Sequence, residues 1–193
     1  MRIFITGATG YIGMNVALAL RRAGHEVWGL VRSADKAAKL MRHEIHPVIG
    51  SLNDPSTYLA TAERCSVLIT AAEDHSNAES LDKMTIEGLL GVGNKGPQPK
   101  TFICTSGVWV YGDSGPVAVD ESSPVNPVRL KPWRPDHEEM VLGASNVRGI
   151  VVRPGCVYGR QVGMTDFWFA GPSKGQSPLV VGDGRNRWAM IHV

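Results

Sequence analysis

The stretch Ile3-Phe-Ile-Thr-Gly-Ala-Thr-Gly-Tyr-Ile-Gly13 leaves the chain few folds to choose from. Ile3 to Thr6 is a short apolar run with β-branched side chains, the pattern of a buried strand. Gly7 ends it, and Gly10 and Gly13 follow at even spacing. From Tyr11 to Arg22 the apolar spacing turns helical, with Ile12, Val16, Ala19 and Leu20 on one face and Gly24 as the stop. Strand, glycine turn and helix N-terminus in that order build an anion site. Backbone N–H groups point out of the turn, and the helix dipole favours negative charge. Gly7 permits the tight turn, Gly10 lets a pyrophosphate approach the backbone, and Gly13 lets helix and strand pack closely. Three glycines alone are a weak signal, but three of them between a strand and a helix are a strong one.

Further short apolar runs at residues 25–31, 45–49, 67–71, 100–105 and 148–153 read as strands. Between them lie helical stretches: residues 34–41 capped by Ser33, a helix started by Asp54 and Pro55, and residues 77–90. The alternation predicts an α/β fold, a parallel sheet covered on both faces. Right-handed crossovers make it doubly wound, with the ligand crevice at the C-terminal strand ends. The proline-rich residues 112–135 read as loop, and Gly182-Asp-Gly184 as the turn of a hairpin between residues 179–181 and 188–193.

Composition narrows the function classes. The chain has 193 residues, enough for one domain with its own core, with 43% apolar and 20% charged residues. A net charge of +2 without a block of Lys and Arg gives no reason to expect nucleic acid. No apolar run approaches the roughly 18 residues of a membrane span, so no membrane partner is expected. Cys65, Cys104 and Cys156 are far apart and show no metal-ligand spacing; they are expected as buried free thiols in a reducing compartment. With no leader-like segment before the first strand, a cytoplasmic location is expected.

Five ordered segments resemble the extended short-chain dehydrogenase/reductase family, of the NAD-dependent epimerase/dehydratase type. They are Thr6-Gly-Ala-Thr-Gly-Tyr-Ile-Gly13, Thr105-Ser-Gly-Val-Trp-Val-Tyr-Gly112, Asp120-Glu-Ser-Ser-Pro124, Arg153-Pro-Gly-Cys-Val-Tyr-Gly159 and Gly182-Asp-Gly184 through Val193. The resemblance implies a Rossmann-type doubly wound sheet over residues 1–193, with 154–193 the remnant of a substrate-binding region. Family members usually run on for roughly a hundred residues more. The family's Tyr-x-x-x-Lys pair is missing. The corresponding stretch reads Trp133-Arg-Pro-Asp-His137, with Trp133 in the tyrosine position and His137 in the lysine position.

The resemblance assigns Gly7, Thr9, Gly10, Tyr11, Ile12 and Gly13 to the cofactor phosphates, Leu52 to the adenine, and Ala71 and Ala72 to the floor of the crevice. Pro154 to Val157 would border the nicotinamide, and Thr105 would touch the cofactor or take the orienting role given next to Ser106. Ser106 would orient the reacting oxygen. Indole N–H is a donor only, so Trp133 cannot replace the tyrosine and reads as a packing or wall residue. His137 is a candidate ribose contact and acid–base, since imidazole titrates near neutrality, and Tyr111 is a second candidate acid. Arg187, beside Arg185, is a candidate contact for an anionic substrate. NAD readers carry an acid at the end of strand two; here Val31 is followed by Arg32, with Lys36 a turn further on, which suits a 2′-phosphate and favours NADP over NAD.

Three functions fit. The first is an NAD(P)-dependent oxidoreductase or isomerase-like enzyme of atypical type, moving hydride to or from a small carbonyl or alcohol, with NADP the favoured cofactor. The second is a catalytically silent NADP-binding module, which the missing Tyr and Lys favour. The third is a nucleotide-sugar epimerase or dehydratase, against which the missing tyrosine argues. A final strand left as an open edge would invite a homodimer.

Overall fold

The computed structural model describes residues 1–193 except 74–76, 94, 97, 161, 162, 164 and 179. Its centre is β1 (Arg2–Thr6), four of whose five residues are buried. On one side β1 pairs with β2 (Glu26–Val31), and β2 with β3 (His46–Ile49). On the other side it pairs with β4 (Val67–Thr70), followed by β5 (Lys100–Thr105) and β6 (Val147–Val152). All pairings are parallel, in the order β3-β2-β1-β4-β5-β6. The direction of winding reverses between β1 and β4, and a ligand crevice lies above such a switch point.

The two faces follow from strand alternation. Ile3 and Ile5 join Val27, Leu40 and Ile45 under α1 (Tyr11–Arg22) and α2 (Ala34–Met41). Phe4 points the other way and joins Leu68, Phe102, Ile86 and Val141 under α3 (Leu59–Glu63), α4 (Ala78–Gly91) and α5 (Arg134–Leu142). Ser33 caps α2 by accepting a bond from the Lys36 backbone N–H. Asp54 caps in the same way, but the chain makes only a 3-10 turn over Pro55–Thr57 before α3. All three cysteines are buried free thiols. Burial pushes Cys65 and Cys104 up to about 11, so both stay protonated and act as small apolar side chains.

The expected hairpin is corrected. Glycines 182 and 184 do adopt positive φ and turn the chain. The strand beyond them, β8 (Met190–His192), pairs in parallel with β7 (Cys156–Tyr158). The partner is decided by a non-local bond: the Cys156 N–H donates to the Ala189 carbonyl at 2.7 Å. Val180 and Val181 stay exposed, and residue 179 lies outside the described residues. All of β8 is exposed. No helix among the described residues is long and apolar enough to cross a membrane.

Candidate active site

The glycine turn sits at the switch point. Gly7 has φ +70, and a Cβ there would lie 2.4 Å from the Ala71 carbonyl oxygen. The structure therefore brings the backbone of Ala71 and Ala72 against the turn. A Cβ on Gly13 would lie 2.2 Å from the Gly7 carbonyl oxygen, so α1 packs on the turn at a distance only glycine allows. Gly10 differs. Its backbone is extended, the residue is exposed, and a Cβ would meet only the Gly7 oxygen, at 3.2 Å. The turn is thus closed beneath and open above.

α1 begins at Tyr11 with no side-chain cap and no acidic residue in its first turn. Its positive end is left for an outside anion, and the residues present fit a dinucleotide pyrophosphate. Thr9, Tyr11 and Ile12 are half-buried around this opening. The Tyr11 hydroxyl donates to the Gly159 carbonyl at 2.8 Å, tying α1 to the segment after β7. Leu52 is partly buried against the larger core.

The ends of β5 and β6 stay joined past the last ladder residues. Ser106 N–H donates to the Val152 carbonyl, and Val108 N–H to the Pro154 carbonyl. Thr105, Ser106 and Pro154 are therefore gathered at one rim; Val157 lies on β7, and all four are half-buried. A 3-10 turn over Val108–Tyr111 follows, and the proline-rich loop folds back onto it through Asn126 N–H to the Val110 carbonyl at 2.8 Å. This turn buries Tyr111 and leaves Trp109 partly exposed.

Beneath that rim lies a polar cluster that the motifs did not reveal. Helix α5 turns Arg134, His137, Glu138 and Val141 inward, at the spacing of one helix face. The Ser106 hydroxyl donates to Glu138 Oε1. Arg153, just past β6, donates to Glu138 Oε2 from Nη2 at 2.5 Å and from Nε at 3.0 Å. Its Nη1 donates to the Tyr111 hydroxyl oxygen at 2.5 Å. The Glu138 side chain is 3% exposed. Its carboxylate raises the pKa of the Arg153 guanidinium, against the opposing effect of desolvation.

The His137 ring is buried. Nδ1 lies 2.8 Å from Asp82 Oδ2 on α4, and the ring packs on Trp133 at 4.6 Å between centroids. The inward turn of α5 takes it into the seam with α4. The side chain of α5 that reaches the loop after β4 is Arg134, whose Nη2 meets Glu73 Oε2 at 3.1 Å and whose guanidinium stacks on Trp133 at 4.4 Å. Trp133 is thus a packing residue. Glu73 also pairs with Lys131.

A cleft of about 1330 Å³ opens beside Tyr111 and Arg153. Trp109, Val128, Arg185, Arg187 and Trp188 are among its lining residues. Arg185 is also held by Asp183, at 3.7 Å. His137 does not line this cleft. Among the described residues no group of three His, Cys, Asp or Glu could hold a metal ion.

The chain is 32% identical over 204 residues to an uncharacterized protein of Schizosaccharomyces pombe, covering 100% of this chain and 66% of that protein. It is 29% identical over 170 residues to the 4-hydroxy-2-methyl-3-oxo-4-farnesyl-3,4-dihydroquinoline-1-oxide ketoreductase of Stigmatella aurantiaca, covering 82% of this chain and 51% of that one. It thus spans between about half and two thirds of the length of these relatives. The solved dTDP-glucose 4,6-dehydratase of Bacillus anthracis, in complex with NAD, has the same fold, with a TM-score of 0.86 at 18% identity over 100% of this chain and 67% of that one. The NAD dependent epimerase/dehydratase family matches residues 3–193, and this chain belongs to it.

Proposed function

We propose that the protein is an NADP-dependent oxidoreductase that moves hydride between the nicotinamide and a carbonyl or alcohol carbon. The observation that supports this reading is the glycine turn, open above Gly10 and set at the switch point of a parallel sheet whose β5 and β6 ends lead into Ser106 and Pro154. When bound, the nicotinamide supplies the hydride chemistry. The chain supplies the rest. Gly7, Gly10 and Gly13 and the N-terminus of α1 hold the phosphates; Ala71 and Ala72 let the dinucleotide lie close; Thr105, Pro154 and Val157 border its reactive ring. Ser106, its proton given to Glu138, stands beside the reacting oxygen.

Mixing the protein with NADPH and a panel of ketones and aldehydes tests the reading. Loss of the reduced nicotinamide absorbance with at least one carbonyl is expected. Tight binding without turnover would instead support the silent module. That second reading is favoured by one observation, the absence of Tyr and Lys at positions 133 and 137.

NADP is preferred to NAD because Arg32 is exposed at the end of β2, where an acid would repel a 2′-phosphate. Charge-assisted bonds of this kind contribute about 1.5–3 kcal/mol. Arg32→Asp is expected to weaken NADPH binding by roughly 10- to 100-fold while sparing NADH. Equal affinity of the variant and the parent for NADPH in a fluorescence titration would remove the charge argument.

A further inference from the structure

Four polar side chains, Ser106, Glu138, Arg153 and Tyr111, form one hydrogen-bonded chain, and their donors are not equally free. Ser106 gives its proton to Glu138. Glu138 accepts from Ser106 on one oxygen and from two Arg153 N–H groups on the other. Arginine has donors and no acceptor, so in the bond between Arg153 and Tyr111 the phenol oxygen must accept. The Tyr111 proton is therefore left for another acceptor. Both Tyr111 and Arg153 line the large cleft.

We propose that Tyr111, held by Arg153, delivers the proton to the reacting oxygen, in place of the tyrosine absent from α5. The proposal rests on the hydride-transfer reading above. In the reducing direction the Tyr111 O–H bond breaks and its proton forms the new O–H bond of the product alcohol. The carbonyl carbon takes the hydride given up by the reduced nicotinamide, which is thereby oxidised. The phenolate left on Tyr111 stays against Nη1 of Arg153, where the cation offsets its charge. Solvent in the open cleft returns the proton. In the oxidising direction every step reverses. Arg153 and Glu138 are positioning residues: Glu138 anchors the guanidinium, and the guanidinium aims the phenol. The Arg153 guanidinium carbon also lies 4.9 Å from the Tyr111 ring centroid, over its face.

The alternative is a tyrosine that only walls the cleft, for which Phe would serve equally. Tyr111→Phe removes one hydroxyl and leaves the pair of Glu138 and Arg153 in place. With a carbonyl that the parent reduces, its kcat is expected to fall by about 100-fold or more, the size of a lost general acid, with NADPH affinity unchanged. Parent-like kcat would overturn the proposal and leave the hydride reading intact. A parent protein that binds NADPH and reduces no carbonyl would overturn that reading, and the acid role with it.

A second measurement needs neither cofactor nor turnover. In protein carrying ¹³Cζ-labelled tyrosine, the resonance lost in Tyr111→Phe identifies Tyr111. Arg153→Lys is expected to shift that resonance and to retain part of the activity, because it keeps a cationic donor. A Tyr111 resonance unmoved in Arg153→Lys would show that the two residues are not coupled, which overturns the proposal.

Discussion

Gly10→Ala is expected to lose NADPH binding by about 100-fold, roughly 2.7 kcal/mol, while the protein stays folded. Gly10 has φ −75 and ψ 174, a conformation open to any residue, so alanine brings no backbone strain. Its Cβ would meet only the Gly7 carbonyl oxygen, at 3.2 Å, a contact the turn can relieve by a small shift. Alanine is also a poorer N-cap than glycine, a cost on the order of 1 kcal/mol or less. The added methyl group therefore fills the opening above the turn and little else. Gly13→Ala is the contrast. There the Cβ would sit 2.2 Å from the Gly7 oxygen, backbone against backbone, and α1 must move off the sheet. That variant is expected to lose stability as well as binding. Calorimetric affinity and a thermal melt on both variants separate the two effects. Gly10→Ala with parent affinity would mean that no ligand lies over the turn.

Glu138→Ala is expected to cost about 3 kcal/mol of stability, the lower end of what breaking a buried ion pair costs. The lower end applies because the Arg153 side chain is 17% exposed, against 3% for Glu138. Loss of the carboxylate leaves the guanidinium without its counter-charge and Ser106 without its acceptor. For a domain of this size the melting temperature should fall by roughly 10 °C. Glu138→Gln keeps the shape and an acceptor oxygen and should fall by less. A melting temperature within about 2 °C of the parent in Glu138→Ala would contradict the cluster, since so small a shift corresponds to less than about 1 kcal/mol.

The sequence shows the sheet because each strand is a short apolar run bounded by helical spacing. Strand ends fell within a residue or two of the expected ranges, as with Glu26–Val31 against residues 25–31. The glycine turn was legible because its three glycines lie close together between a strand and a helix, although the backbone that Gly7 packs against, at Ala71 and Ala72, comes from beyond β4. The hairpin was misread because the partner of Met190–His192 lies across the fold, at Cys156–Tyr158. Turn chemistry says where a chain bends, not which edge is free to receive it.

The polar cluster was hidden for a related reason. Arg134, His137 and Glu138 look like a solvated helix face, since charged residues are seldom fully buried. A signal was present in their spacing with Val141, which puts all four on one face, and in Arg153 at a strand end. Only the sheet brings Glu138 between Ser106 and Arg153. His137 drew notice as a titratable residue at the motif position, but helix geometry turns it towards Asp82. Trp133 was legible as a packing residue, because indole offers no proton to exchange.

One measurement bears most directly on the central claim, that the N-terminal turn holds a nicotinamide dinucleotide: a calorimetric titration of the unaltered protein with NADPH, followed by NADH. Single-site binding of NADPH with a Kd of about 1–10 μM, and weaker binding of NADH, is the expected result. No heat from either dinucleotide up to about 1 mM would contradict it, since binding would then be worth less than about 4 kcal/mol.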